Sequence, residues 1–183
     1  VIGTGLDVLF CGINPGLMSE ATGHHFARPG NRFWPALHQS GFTPVRLHPT
    51  DQGRLTEYQL GITNVVARAS ARADELSRDE LVEGGKILVR KVKRYQPAWL
   101  AILGIVAFRG AFGQPKAVVG EQDLRIGQTR VWVLPNPSGL NAHYTLSRLS
   151  AEFAALRRQA RMTSTTTVMD KAKPRPKSKP LTG

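Results

Sequence analysis

Apolar residues gather in four short runs: residues 8–13 (VLFCGI), 60–66 (LGITNVV), 99–103 (WLAIL) and 131–134 (VWVL). Short apolar runs bounded by turn formers predict buried strands. The first run ends in Asn14-Pro15-Gly16, the third in Gly104, and the fourth in Pro135-Asn136-Pro137-Ser138-Gly139. Proline cannot extend a ladder and glycine frees the backbone, so each strand is expected to stop there. Helical spacings fill the gaps between the runs. Ser77-Arg78-Asp79-Glu80 has the form of a capping box. After it, Leu81, Leu88 and Val92 lie near one face, with Ile87 and Val89 beside them, until Pro97. Leu146, Leu149, Phe153 and Leu156 recur at three or four positions, the mark of an amphipathic helix. Residues 31–40 and 105–112 predict shorter helices. Buried strands alternating with helices imply parallel pairing through crossovers. The expected fold is α/β: a three-layer sandwich with a short, mainly parallel central sheet and helices on both faces. No internal repeat is present. From about Met162, TSTTT and KAKPRPKSKP have little to bury, so a domain over residues 1–161 and a basic, disordered tail over 162–183 are expected.

Composition narrows the function. A chain of 183 residues suits one domain with a substantial core, and no apolar run approaches a membrane span. The opening VIGTGLDVLF lacks the charged start and small-residue cleavage site of a secretory signal. Its first residue is Val1 rather than Met, which leaves room for residues ahead of it. Cys11 is the only cysteine, which excludes an internal disulfide, a cysteine-rich zinc site and a cluster held by four thiolates of this chain. The five histidines show no metal-ligand spacing, and His24 and His25 are adjacent. No metal or cofactor is expected, and a reducing intracellular compartment fits best. Twenty-five Lys and Arg against 13 Asp and Glu give a net charge of +12. Lys171, Lys173, Arg175, Lys177 and Lys179 against Asp170 place +4 of it in the tail and leave +8 in the body. A basic surplus of this kind attracts polyanions, nucleic acid above all.

Ligands of open α/β sheets bind beyond the carboxyl ends of the strands. Two loops there share an unusual make-up, GINPG (residues 12–16) and NPSGLN (residues 136–141). Taken singly, either reads as a strand-ending turn. Taken in order, GINPG, HFARPGNRFW, ITNVV and VWVLPNPSGL resemble the mismatch-specific uracil-DNA glycosylase family, kin of the thymine-DNA glycosylases, over residues 5–158. The resemblance implies a monomeric enzyme acting on double-stranded DNA without a cofactor. It would flip uracil or a related mismatched or damaged pyrimidine out of the duplex and hydrolyse its bond to the sugar.

That resemblance carries roles onto individual positions. Leu140 would wedge into the stack as the base leaves, while Gly139 and Asn141 face the orphaned partner. Where the family often has Ser and Arg after the leucine, Asn141 and Ala142 stand here. Phe26 would stack on the flipped base in a pocket with Ile13, Gly16, Ser19 and Asn136, and backbone groups around Ile13 and Phe26 would bond its edge. The structural alternative for Phe26 is core packing; for Leu140 it is a contact closing the loop. Asn14 would hold the attacking water. An amide carbonyl can orient water but cannot take its proton at neutral pH, so slow chemistry relying on a good leaving group is expected.

Among carboxylates, Asp79 and Glu80 are occupied by a helix start, and Asp7 precedes its strand at the wrong end of the sheet. Asp74, in ARASARADE, has no evident structural duty and is a candidate base or electrostatic aid; Glu20 is a second candidate. Asn64 lies near the same edge, as a contact to DNA or water or as a turn residue. Arg28, Arg32, Arg68 and Arg72 are candidate phosphate contacts, and Cys11 is expected to be a small core residue. Two other functions remain open. One is a damage-binding protein that keeps the fold but barely catalyses. The other is a nucleotide-binding α/β protein, disfavoured because neither GxGxxG nor GxxxxGK[ST] occurs.

Overall fold

In the computed structural model, which describes residues 1–171 and side chains as far as Arg161, the four apolar runs become strands β1 (Val8–Gly12), β2 (Leu60–Asn64), β3 (Trp99–Leu103) and β5 (Thr129–Leu134). A fifth strand, β4 (Gly120–Ile126), precedes β5 and forms a hairpin with it through Gly127 and Gln128. Gly127 takes the left-handed φ of 61° that so tight a reversal requires. The sheet order is β2-β1-β3-β5-β4, parallel throughout except for β4. The central strands are buried on both faces, which explains their unbroken apolar sequences. Strand β4 is an edge and alternates: Glu121, Asp123 and Arg125 are exposed while Ile126 is buried. Its charges hid it from a search for apolar runs, and they also blunt the edge against pairing with another chain.

Successive side chains on a strand point to opposite faces, so the sheet divides two cores. Val8 and Phe10, Leu60 and Ile62, Trp99 and Ala101, and Trp132 and Leu134 face one layer. That layer holds helices α2 (Phe33–Gln39) and α5 (Leu146–Lys171) and a 3-10 helix over Pro49–Tyr58. Phe10 is its hub, touching Phe33, Phe42 and Phe153 with ring centroids 5.4, 5.4 and 5.7 Å away. Leu9, Cys11, Leu100, Ile102, Val131 and Val133 face the other layer, formed by α3 (Arg78–Tyr95) and α4 (Ile105–Phe112). The expected three-layer α/β sandwich is present. The short helix α1 (Leu17–Thr22) and the 3-10 helix have no strong apolar period, and the sequence pattern did not announce them.

Two boundaries shift for visible reasons. The helix expected over residues 31–40 begins at Phe33, where the Asn31 side chain accepts from the Phe33 N–H at 2.9 Å and so forms an Asx turn just ahead of the helix. Helix α5 continues to Lys171, past Met162 where its apolar spacing ends; the rest of the expected tail, residues 172–183, lies outside the described residues. The capping box forms as read: Ser77 Oγ accepts from Glu80 N at 3.1 Å, and Ser77 N donates to Glu80 Oε2 at 2.8 Å. Among the described residues, no helix is long and apolar enough to cross a membrane.

Helix α3 lies unusually close to its neighbours at Gly84 and Gly85. A Cβ on Gly84 would stand 2.5 Å from the Val65 carbonyl oxygen, and one on Gly85 2.6 Å from that of Ala111. Alanine favours a helix over glycine by about 1 kcal/mol, but overpacking against rigid backbone costs about 1–3 kcal/mol. Gly84→Ala is therefore expected to destabilise the fold despite its better propensity. A urea midpoint equal to or above that of the wild type would contradict this packing.

Candidate functional site

The carboxyl ends of β1, β3 and β5 meet at one rim, and a cleft of about 1120 Å³ opens there. Strand β1 sits between β2 and β3, the switch point at which open α/β sheets form a crevice. Residues of both Asn-Pro-Gly loops line the cleft: Ile13, Asn14 and Gly16 from the first, Asn136, Leu140 and Asn141 from the second. Phe26, Ser19 and Asn64 line it as well.

The Asn14 amide is fixed by the loop after β2. Its Nδ2 donates to the Arg68 carbonyl at 2.9 Å and to Ser70 Oγ at 2.8 Å. A carbonyl can only accept, so the nitrogen must face Arg68 and the amide cannot be flipped. The buried Ser70 hydroxyl spends its own proton on the Arg72 carbonyl at 2.6 Å, leaving a lone pair for Asn14. Both amide protons are thereby committed, and Oδ1 accepts nothing from the described residues. The two loops are stitched further by Ser70 N donating to Pro15 O at 3.1 Å, an isolated parallel bridge at Gly16 and Ser70. Ser70 escaped the sequence reading because nothing local in ARASARADE marks it; its partner lies 56 positions away.

Phe26 holds a left-handed backbone, φ 54°, which is strained for a residue with a side chain. Its neighbours are pinned on both sides. His25 N donates to Gln52 Oε1 at 2.9 Å, Ala27 N to Ser19 Oγ at 3.2 Å, and the Trp34 indole to His25 O at 3.1 Å. The 3-10 helix carrying Gln52 thus braces this loop from outside. One Phe26 face stacks on Phe33, centroids 4.3 Å apart, yet the ring remains half-buried at the cleft. Beneath it Gly12 leaves room for both neighbours: a Cβ there would lie 2.6 Å from Asn64 Oδ1 and 3.2 Å from the Phe26 ring. Burial pushes the adjacent His25 imidazole down to about 4, so it is neutral at physiological pH.

The second loop is irregular but internally bonded. Asn136 Oδ1 accepts from Ser138 N at 3.0 Å, Asn141 Nδ2 donates to Asn136 O at 3.0 Å, and Asn141 Oδ1 accepts from His143 N at 3.1 Å. Leu140 projects from this frame, 63% exposed. It is not buried to close the loop.

Several expected roles change. Asp74 does line the cleft, but its carboxylate pairs with the Arg72 guanidinium, so both have structural partners. Arg68 grips Glu80 through two bonds, 2.6 and 3.1 Å, and also donates to Glu75 O. Arg32 donates to carbonyls of the second loop. Of the four arginines, Arg28 is the one left exposed on the cleft wall without a side-chain partner among the described residues. Glu20 is exposed on α1 and is not among the lining residues. Cys11 is fully buried, and burial pushes its thiol up, away from reactivity.

The Arg68–Glu80 contact anchors the loop that orients Asn14, and it should be felt on acidification. Hydrogen bonds from Arg68 and then from the Ser77 backbone hold the Glu80 carboxyl down at about 2, against an ordinary 4.5. A depressed carboxyl contributes stability that is complete above its unfolded value and disappears as pH falls through the folded one. Glu80→Gln is expected to lower the thermal midpoint at pH 7 and to flatten its decline between pH 4.5 and 2. Parallel curves for variant and wild type over that window would refute the coupling.

Comparison with known families agrees with this arrangement. The family model described as the uracil DNA glycosylase superfamily matches residues 2–161, nearly all of the domain that carries the cleft. On that match, the chain belongs to the uracil DNA glycosylase superfamily.

Proposed function

We propose that the protein is a monofunctional DNA glycosylase of the mismatch-specific type. It takes uracil or a related mismatched or damaged pyrimidine out of double-stranded DNA and leaves an abasic site. The observation that carries this reading is the meeting of Asn14, Phe26 and the exposed Leu140 on one cleft. Base excision requires a base to be extruded, held and attacked, and these three residues are suited to those tasks in turn.

Leu140 fills the gap as the base swings out, and the backbones at Gly139 and Asn141 face the widowed partner base. The extruded pyrimidine lies on Phe26, in a pocket bounded by Ile13, Gly16, Ser19 and Asn136. Ser19 Oγ accepts from Ala27 N beside Phe26 and Asn136 Oδ1 from Ser138 N in its own loop, which leaves the Ser19 hydroxyl proton and the Asn136 amide protons to donate to the base. Backbone N–H groups near Ile13 and Phe26 stabilise the negative charge that develops on the departing base. Bond cleavage leaves an oxocarbenium-like sugar, which water captures. The free Asn14 Oδ1 accepts from that water and aims its oxygen at the sugar. Asn14 takes no proton; the proton that water loses as its oxygen bonds to the sugar ends on the departing base anion, so the reaction depends on the base leaving well. Asp74 contributes charge near the cleft while held by Arg72.

A second reading, a damage-binding protein with little turnover, is favoured by one fact: no unpaired carboxylate stands beside Asn14 among the described lining residues. Single-turnover assays on a G·U duplex, developed with alkali to break abasic sites, separate the two. Asn14→Ala is expected to slow cleavage about a hundredfold while duplex binding persists. Binding by the wild type with no alkali-labile product would establish the sensor instead. Leu140→Ala is expected to cost on the order of tenfold, equivalent to about 1.4 kcal/mol. For Asp74→Ala the change should stay within about fivefold, as for other exposed ion pairs; a larger loss would make Asp74 the base.

A further inference from the structure

The second loop has almost no regular backbone pairing of its own, yet its carbonyls converge on one side chain. The Arg32 guanidinium donates to the carbonyl oxygens of Ser138 and Tyr144, to that of Asn141 at 2.8 Å, and through Nε to that of Pro137 at 3.5 Å. The Arg32 backbone N–H also donates to Pro137 O, at 3.0 Å. These contacts span 105 to 112 positions of sequence. No carboxylate pairs with Arg32 among the described residues, so its charge is answered by backbone dipoles alone.

We propose that Arg32 is the positioning residue that gives the Pro137–Tyr144 loop its shape and so sets the reach of Leu140. The proposal rests on the glycosylase reading for its functional half. Carbonyls drawn toward a common point repel one another and are costly to leave unmet, and a planar cation with five donors is the side chain that can satisfy them together. Lysine offers a point charge with three donors and cannot fork across the same span. Arg32 is itself held firmly, since Phe33 and Trp34 beside it are buried in the core at the start of α2. The same chain segment carries Phe26 six residues earlier, so one rigid stretch fixes both the stacking ring and the projecting leucine. Leu140 touches DNA in this scheme; Arg32 acts only through it.

Hydrogen exchange on the free protein tests the structural half. In Arg32→Met, amides of the 137–144 loop should exchange at least about tenfold faster while the core amides of β1, β3 and β5 stay protected. Arg32→Lys, which keeps the stem and the charge, should fall between the two. Loop exchange equal to that of the wild type overturns the proposal. A double-mutant cycle with Leu140→Ala, read by single-turnover cleavage of a G·U duplex, tests the functional half. Arg32→Met should lose about the tenfold that Leu140→Ala loses, and adding Leu140→Ala should cost little more. If the two losses multiply, or if a loosened loop leaves the rate unchanged, Arg32 does not act through Leu140. Should Arg32→Met unfold, Arg32→Lys carries both arms. A wild type that binds DNA but cuts nothing would end the glycosylase reading, and exchange would still decide the clasp.

Discussion

Parallel pairing of β1, β3 and β5 is the constraint on which everything at the site depends. Parallel strands start at one edge of the sheet and finish at the other, and the registers here pair Cys11 with Ile102 and Leu103 with Leu134. The loops that follow must therefore emerge side by side. Two segments more than a hundred residues apart in the chain become the two walls of one cleft without any direct strand pairing between them. The buried faces make this arrangement stiff, because each strand is packed by helices above and below. A slip of one residue would turn Phe10 away from its aromatic partners and exchange the two cores.

On that rim, polar side chains are used mostly to shape backbone. Asn14 is turned by Ser70, Asn136 and Asn141 close their own turns, and Ser19 and Gln52 pin the segment around Phe26. What remains available to a ligand is correspondingly small: the Asn14 amide oxygen, the Asn136 amide protons, the Ser19 hydroxyl proton, backbone N–H groups near Ile13 and Phe26, an aromatic face, an apolar projection and exposed Arg28. Such a set suits a reaction whose difficulty lies in reaching the bond more than in activating a nucleophile. It is consistent with membership of a superfamily of DNA glycosylases.

The architecture was largely legible in the chain, because burial on both faces leaves a strong local signature. Residues 99–103 and 105–112 have the boundaries that their apolar and helical patterns indicate, and the Ser77–Glu80 box closes as spelled. Strand β4 was illegible for the opposite reason: half of it faces solvent and is charged. At the site, the loops could be read from their Asn, Pro and Gly content, but the partners of Arg32, Arg68, Arg72 and Ser70 could not. An arginine in a loop can meet phosphate, carboxylate or carbonyl, and only the folded geometry chooses. Asp74 illustrates this, since nothing in the sequence shows that Arg72, two positions earlier, turns to its carboxylate rather than to phosphate.

Gly139 adds a consequence of a different kind. A Cβ at this position would fall 2.8 Å from the carbonyl oxygen of Gly30, so the Pro137–Tyr144 loop and the segment bearing Phe26 approach through bare backbone. There is no side chain between them to yield or rearrange. A side chain added at Gly139 would therefore have to push the two segments apart, and with them Leu140 from Phe26. Variation in bulk along this wall of the cleft is left to the margins, near Ala142 and His143, because the seam itself admits none.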